Sequence, residues 1–304
     1  MGFNYSIKKA FKENYQMYLF LLPTILIILI FKYIPMYGLK IGFIDYLPGM
    51  KFSDCDWKGL YWFQKFLSSP KIVQLVINTL WLNIYSLLIG FPIPVILALM
   101  LNQLANERYK RFVQTITYAP HFISTVVLVG MMFVFLSPST GVFNKIIGFI
   151  GFEPTFLMGS SAAFPSLYVF SGVWQEAGFG AIIYLAALAG VNPELYEAAT
   201  VDGASRLKKI IHIDIPCIMP TVVIMLIMTV GNLMNVGFEK VFLMQTDLNR
   251  QASDVIATYV YDVGIRQMQY SYSTAINTFV SFINMILLLI VNKAASLVSD
   301  TSLF

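Results

Sequence analysis

The chain has 304 residues, 58% of them hydrophobic and only 12% charged, with a formal net charge of +4. A soluble domain carries about a quarter charged residues, so this composition excludes an ordinary soluble protein. The apolar residues are gathered into runs long enough to cross a bilayer, which takes about 20 residues of helix, and they predict an all-α integral membrane protein.

Residues 1–16 have an amphipathic pattern. Phe3, Ile7 and Phe11 recur every fourth residue while Lys8, Lys9 and Lys12 fall on another face, as expected for a helix lying in the headgroup layer. No small-residue cleavage site follows, so Met17–Tyr37 is read as a retained first span and not as a signal peptide. Six spans are predicted, at 17–37, 73–101, 121–136, 163–190, 217–236 and 273–292. Between the first two, the 40–72 segment carries Trp57, Tyr61, Trp62 and Phe63, too aromatic for a loose linker, and is expected along the outer interface. Asn78, Trp81 and Tyr85 in the second span read as packing anchors. Cys55 and Cys217 are assigned to opposite sides of the membrane and are not expected to pair.

Six spans put both termini on one side. Lys and Arg are nearly balanced between the two sides, so clustering decides. Lys8, Lys9 and Lys12, then Arg108, Lys110 and Arg111, then Arg206, Lys208 and Lys209 form tight groups near span ends. That pattern places both termini and the 192–216 loop in the cytoplasm. No internal repeat or separate soluble domain is visible, so residues 17–304 are read as one membrane domain.

The 192–216 loop interrupts the apolar pattern. Asn192, Pro193 and Glu194 are a helix start: Asn caps, Pro suits the first turn, and Glu favours the positive end of the dipole. That helix should run to about Val201, and Gly203 then permits a sharp turn. A second short helix is expected, with Leu207, Ile210 and Ile211 on one side and Arg206, Lys208 and Lys209 on the other. Pro216 is expected to mark entry into the fifth span. Ala198, Ala199 and Ala204 keep the elbow smooth enough for another surface to approach. On local physics alone, a loop resting on the headgroups fits as well as a docking element.

The order of residues favours docking. Glu197-Ala198-Ala199, three residues ending in Asp202, then Gly203-Ala204, and after nine residues from Gly203 the run Ile213-Asp214-Ile215-Pro216, resemble the signature loop of ATP-binding-cassette importer permeases, with Ile215 where leucine is commoner. The resemblance covers roughly 15–304. It is carried also by 119–141 (APHFISTVVLVGMMFVFLSPSTG), GFEKVFLM (237–244), SDVIATYVYDVGI (253–265), YSYSTAIN (270–277) and the final SLF. It is similar to the maltose-type, type I importers, and within them to the six-span oligosaccharide and polysaccharide branch.

The resemblance implies the type I permease fold, with 192–216 as the coupling loop on a cytoplasmic ATPase. Glu197, Ala198, Ala199, Asp202, Gly203, Ala204 and Pro216 would be its coupling residues. It implies a bacterial cytoplasmic-membrane location and oligosaccharide import by alternating access. The implied partners are a second, related permease chain, two ATPase subunits holding ATP and Mg, and an extracytoplasmic solute-binding lipoprotein. The sequence has no G-x-x-x-x-G-K-[ST] phosphate loop and no His/Cys metal spacing, so this chain is expected to bind no cofactor and to catalyse no reaction itself. His121 and His212 are read as interfacial or hydrogen-bonded residues.

Polar side chains within the spans are the candidates for a substrate route, because they are costly in lipid unless paired or facing water. Trp174, Gln175, Glu176 and Phe179 lie in the fourth span. Asn232, Asn235 and Glu239, with Gly231 and Phe238 beside them, are spaced as one helical stripe of the fifth. Asn277 and Asn284, in register with Thr274 and Ser281, form a stripe on the sixth. Amides and carboxylates bond sugar hydroxyls, and aromatic faces stack on sugar rings. Such stripes also hold helices together in membranes, and Glu176 fits either a substrate contact or a pair with a donor on the partner permease. A peptide, polyamine or phosphate importer of the same build remains open, although phosphate would want arginines that the spans lack. An ATP-independent secondary transporter would show repeated halves.

Overall fold

The structure, a computed structural model, describes residues 14–298. The interfacial helix expected at 1–16 lies, through residue 13, outside the described residues, as does the terminal SLF. The first helix, α1 (Tyr15–Phe43), is longer than the expected span. Pro23 sits inside it, the helix widens over Leu29–Tyr33, and it tightens from Tyr37 onward. None of its apolar window is buried within the chain. A helix apolar on every side and this exposed needs lipid or another chain against it.

A short helix α2 (Tyr61–Leu67) follows. The spanning helix α3 (Ile72–Asn102) comes next. The third span is built differently from expectation. In place of one helix at 121–136 there are two, α4 (Glu107–Phe122) and α5 (Thr125–Phe135), meeting at 96°. At about 1.5 Å per residue, neither the predicted run nor α5 alone reaches the roughly 30 Å of a bilayer core. Pro120 lacks an N–H, Ser124 caps α5 by accepting from Val127 N at 3.3 Å, and the carbonyl freed at Ile123 accepts from Gln175 Nε2 at 2.7 Å.

The chain continues through α6 (Val142–Phe149), the long α7 (Phe164–Ala189) and α8 (Pro193–Val201). Next is α9 (Arg206–Gly231). It corrects the predicted fifth span at both ends. The basic run after Gly203 is the first turn of the spanning helix, not a separate short helix, and the helix stops at Gly231. Ser205, not Pro216, marks the start: its hydroxyl accepts from Lys208 N at 3.4 Å. A widened turn at Ile210–Asp214 lets the helix run on through Pro216. Short helices α10 (Phe238–Met244), α11 (Arg250–Ser253) and α12 (Ile256–Tyr261) precede the last span, α13 (Tyr270–Val298). Among the described residues five helices are long and apolar enough to cross a membrane, and counting the bent pair α4–α5 as one span gives six.

Contacts group the chain into two compact units. One holds α1, α2 and Val263–Thr278. Within it the aromatic segment is ordered, over residues 43–62, by its own rings: Phe43 stacks on Trp57 at 5.8 Å and Trp62 Nε1 donates to Ile44 O at 3.0 Å. Tyr46 N donates to Ser271 Oγ at 2.8 Å, and Gly42 comes so close to Ala275 that an added Cβ would meet backbone at 3.2 Å.

The other unit runs from Ser68 to Asp262 and resumes at Phe279. In it α7 is the shared wall of two buried clusters. Phe164 packs with Leu82, Val129, Val241 and Met244, while Ala181, Tyr184 and Leu188 pack with Ala98, Leu99 and Ile218. Lipid tails are as apolar as leucine, so close packing and internal polar bonds must hold such helices together. Both are present. A Cβ on Gly180 would touch Pro94 at 3.4 Å, and fully buried Asn249 donates to Met158 O at 2.8 Å and Met244 O at 3.0 Å.

Candidate functional site

The elbow after α7 is formed by local chemistry. Asn192 Oδ1 accepts from Glu194 N at 3.1 Å, and Pro193 occupies the first turn. At the other end Gly203 has φ +71. Gly203 N donates to Thr200 O at 3.1 Å and Ala204 N to Ala199 O at 2.8 Å. This is the six-to-one, five-to-two closure of a helix on a left-handed glycine. The closure explains the spacing: the second alanine supplies the carbonyl that the residue after the glycine must reach.

Glu197, Ala198, Asp202 and Gly203 are exposed, whereas Ala199 and Ala204 are half-buried beneath them and Pro216 is exposed on α9. Val201, 89% exposed, and Leu207, 65% exposed, flank the turn as apolar tips. Lys209 Nζ bridges back to Thr200 Oγ1 at 2.7 Å.

Sequence reading missed how the elbow is fastened. Tyr196 on α8 donates its hydroxyl to Asp214 Oδ1, and Gln103 Nε2, just past α3, donates to Asp214 Oδ2 at 2.9 Å. Asp214 is fully buried, so both oxygens are satisfied by neutral donors from two other segments. Burial, and then the Asp214 carboxylate as bond acceptor and charge, push the Tyr196 phenol up to about 12. The available signal was one acid inside the apolar run IIHIDIP.

The mid-span candidates separate into groups. A cavity of about 370 Å³ opens beside α7, lined by Ser86, Thr125, Tyr168, Gln175, Glu176 and Lys240 among others. Glu176 Oε2 pairs with His121 Nδ1 at 2.8 Å, and the His121 ring lies flat on Phe179, centroids 3.8 Å apart. His121 therefore belongs with two of the candidate residues, which its position at a predicted span end did not suggest. Trp174 is 50% exposed. Gln175 borders the cavity with its amide committed to the α4–α5 break.

The fifth-span stripe does not exist as a helical face, because α9 stops at Gly231 and helix resumes only at Phe238. Gly231 allows close approach to the last span: a Cβ there would meet Leu288 at 2.6 Å. Asn232 donates to Met228 O at 3.0 Å as the helix ends, and Asn284 Oδ1 accepts from Met234 N at 3.0 Å. Asn284 thus supports the non-helical 232–237 turn. Asn232, Asn235 and Glu239 are exposed. Phe238 stacks on Phe242 at 5.2 Å and leans on Tyr261 at 5.0 Å. Asn277 is exposed on α13, in the unit that does not contain Asn284.

Comparison with known proteins adds to this geometry. Residues 90–299 match the family described as the binding-protein-dependent transport system inner membrane component. The chain is similar to protein LplB of Bacillus subtilis (strain 168), 42% identical over 97% of this chain and 93% of that protein. It is also similar to the polygalacturonan/rhamnogalacturonan transport system permease protein YteP of the same organism, 39% identical over 97% of this chain and 92% of the relative. Among solved structures, a chain of a bacterial alginate ABC transporter, in complex with its alginate pentasaccharide-bound periplasmic protein, superposes with a TM-score of 0.89. That chain is 38% identical, covering 98% of this chain and 99% of its own length.

Proposed function

The chain belongs to the family of binding-protein-dependent transport inner membrane components, a multi-pass ABC importer permease, and from that premise we propose that it carries oligosaccharides or polysaccharide fragments into a bacterial cell. The substrate class rests on the relatives, one named for polygalacturonan and rhamnogalacturonan transport and one solved with an alginate pentasaccharide on its periplasmic partner. The cytoplasmic side is that of both termini and of the elbow. A second permease chain completes the route, two ATPase subunits hold ATP and Mg, and a solute-binding lipoprotein delivers the sugar outside. The chain itself binds no cofactor.

The observation that carries the coupling role is the elbow. Glu197, Ala198, Asp202 and Gly203 give it an exposed face beside the apolar tips Val201 and Leu207, and its second arm is continuous with α9. A push on the elbow is therefore delivered to a spanning helix through unbroken backbone. Asp214 links the same push to Tyr196 and Gln103. As the ATPases close, the two elbows of a permease pair move together and the spans turn from inward- to outward-facing.

The test is co-purification with the candidate permease and ATPase. Glu197→Arg and Gly203→Pro should each lose the ATPase while keeping the other permease chain. Variants that retain the ATPase and its binding-protein-stimulated hydrolysis would return the elbow to an ordinary interspan loop.

A further inference from the structure

On α4 one side stays open among the described residues. Asn106 Oδ1 starts the helix by accepting from Arg108 N at 3.0 Å. The inner side is held: Thr117 O lies so close to Gly178 of α7 that a Cβ would not fit, and Lys110 pairs with Glu107 at 4.0 Å. At 3.6 residues per turn the exposed side divides lengthwise. Arg108, Arg111 and Thr115 lie along one edge, and Tyr109, Phe112 and Ile116, each more than half exposed, lie along the other. Neither arginine forms an ion pair among the described residues. Arg108 stands in the first turn, at the positive end of the helix, where a cation is unfavourable. Helix stability therefore does not account for it.

We propose that this side of α4 binds an anionic phospholipid, its phosphate on Arg108 and Arg111 and its acyl chains along Tyr109, Phe112 and Ile116. Guanidinium groups match phosphate oxygens in pairs. The two edges together select the occupant. A soluble anion would use the arginines and leave the apolar edge in water. An apolar helix of another chain would bury two guanidiniums without counter-ions, at high cost. A lipid with a negative headgroup satisfies both edges at once, as it does on basic amphipathic helices. The position along the chain agrees. With the bent pair as one span, α4 leads from its arginines into apolar α5, so the arginines stand at a membrane surface. That surface is the elbow's, because α4–α5 crosses once and α7 crosses back. The lipid site rests on this crossing pattern, and the importer reading only makes the surface cytoplasmic.

The full chain, purified in detergent and crosslinked to photoactivatable phosphatidylglycerol or phosphatidylcholine, tests this by the label mapped onto α4. Wild type should carry more of the anionic lipid than of the zwitterionic one. Arg108→Gln with Arg111→Gln should lower that preference by roughly 30-fold, the attraction of two arginines to an anionic surface. Replacing both by lysine should keep most of it, and added salt should weaken it. Phe112→Ser with Ile116→Ser should lower labelling by both lipids. Equal labelling of wild type by the two lipids would overturn the proposal, as would an unchanged preference in the glutamine pair. A glutamine pair that loses a second permease or an ATPase on co-purification, with its lipid labelling intact, would assign the face to a protein instead. The labelling needs neither ATP nor sugar, so failure of the importer reading would appear in uptake and leave this result untouched.

Discussion

Replacing Gly203 separates two explanations of why the elbow needs glycine. Its φ of +71 lies in the left-handed region, and a Cβ built there has nothing within 4 Å. Within this chain the cost of a side chain is therefore conformational, not steric. A left-handed alanine costs about 1–2 kcal/mol, and asparagine tolerates the region better. That penalty corresponds to roughly 5- to 30-fold in the population of the closed elbow, since 1.4 kcal/mol is a factor of ten. A β-branched residue should cost more. If docking needs the closed elbow, binding-protein-stimulated ATP hydrolysis should fall in the order Gly, Asn, Ala, Val, with Gly203→Asn near wild type although asparagine is larger than alanine. Hydrolysis rates and ATPase pull-down on the four purified assemblies would read this order. A ranking by volume, with asparagine worse than alanine, would refute the conformational argument. It would mean that the glycine is needed for contact with the partner.

Tyr196→Phe leaves one oxygen of buried Asp214 without its donor, so the purified permease should lose about 1–3 kcal/mol, read as a lower melting temperature in detergent; an unchanged melt would mean the bond contributes nothing. The same phenol gives a pH signature. Its pKa rises from 10 in the unfolded chain to about 12 in the folded one, so its contribution is complete below pH 10 and is lost as pH climbs through 12. Wild type should therefore destabilise more steeply than Tyr196→Phe between pH 10 and 12, and parallel curves would contradict the assignment. Gln175→Leu removes the donor to Ile123 O and should cost a similar 1–3 kcal/mol, loosening the α4–α5 corner; hydrogen exchange at 121–126 would report it, and unaltered protection there would count against this role.

The elbow was legible because its signals are local. Asn192, Pro193, the paired alanines and Gly203 each act on backbone within a few residues, and α8 ends at Val201 as those signals predict. Errors arose where a side chain distant in sequence completes a break. The α4–α5 corner depends on Gln175, some fifty residues beyond it, and within 119–136 the breakers Pro120 and Ser124 were outweighed by apolar continuity. The 232–237 turn is likewise completed by Asn284 on the last span. Gly231-Asn232 is a stop signal in the sequence, and the helix ends there, so the i, i+3, i+7 spacing of Asn232, Asn235 and Glu239 does not make a face. Pro216 misled in the opposite sense, since a widened turn allows the helix to pass through it. The fastening of Asp214 by Tyr196 and Gln103, and the meeting of His121 with Glu176 and Phe179, are contacts between segments that no spacing rule brings together.

The most direct measurement is sugar uptake by reconstituted vesicles, with this chain alone and then with the second permease, the ATPase and the binding protein added. The expected result is no uptake by the chain alone, and uptake by the full assembly that requires ATP, requires the binding protein and is abolished by Glu197→Arg. Uptake by the chain alone, or uptake by the assembly that persists without ATP, would contradict its place as one coupled half of an ATP-driven importer.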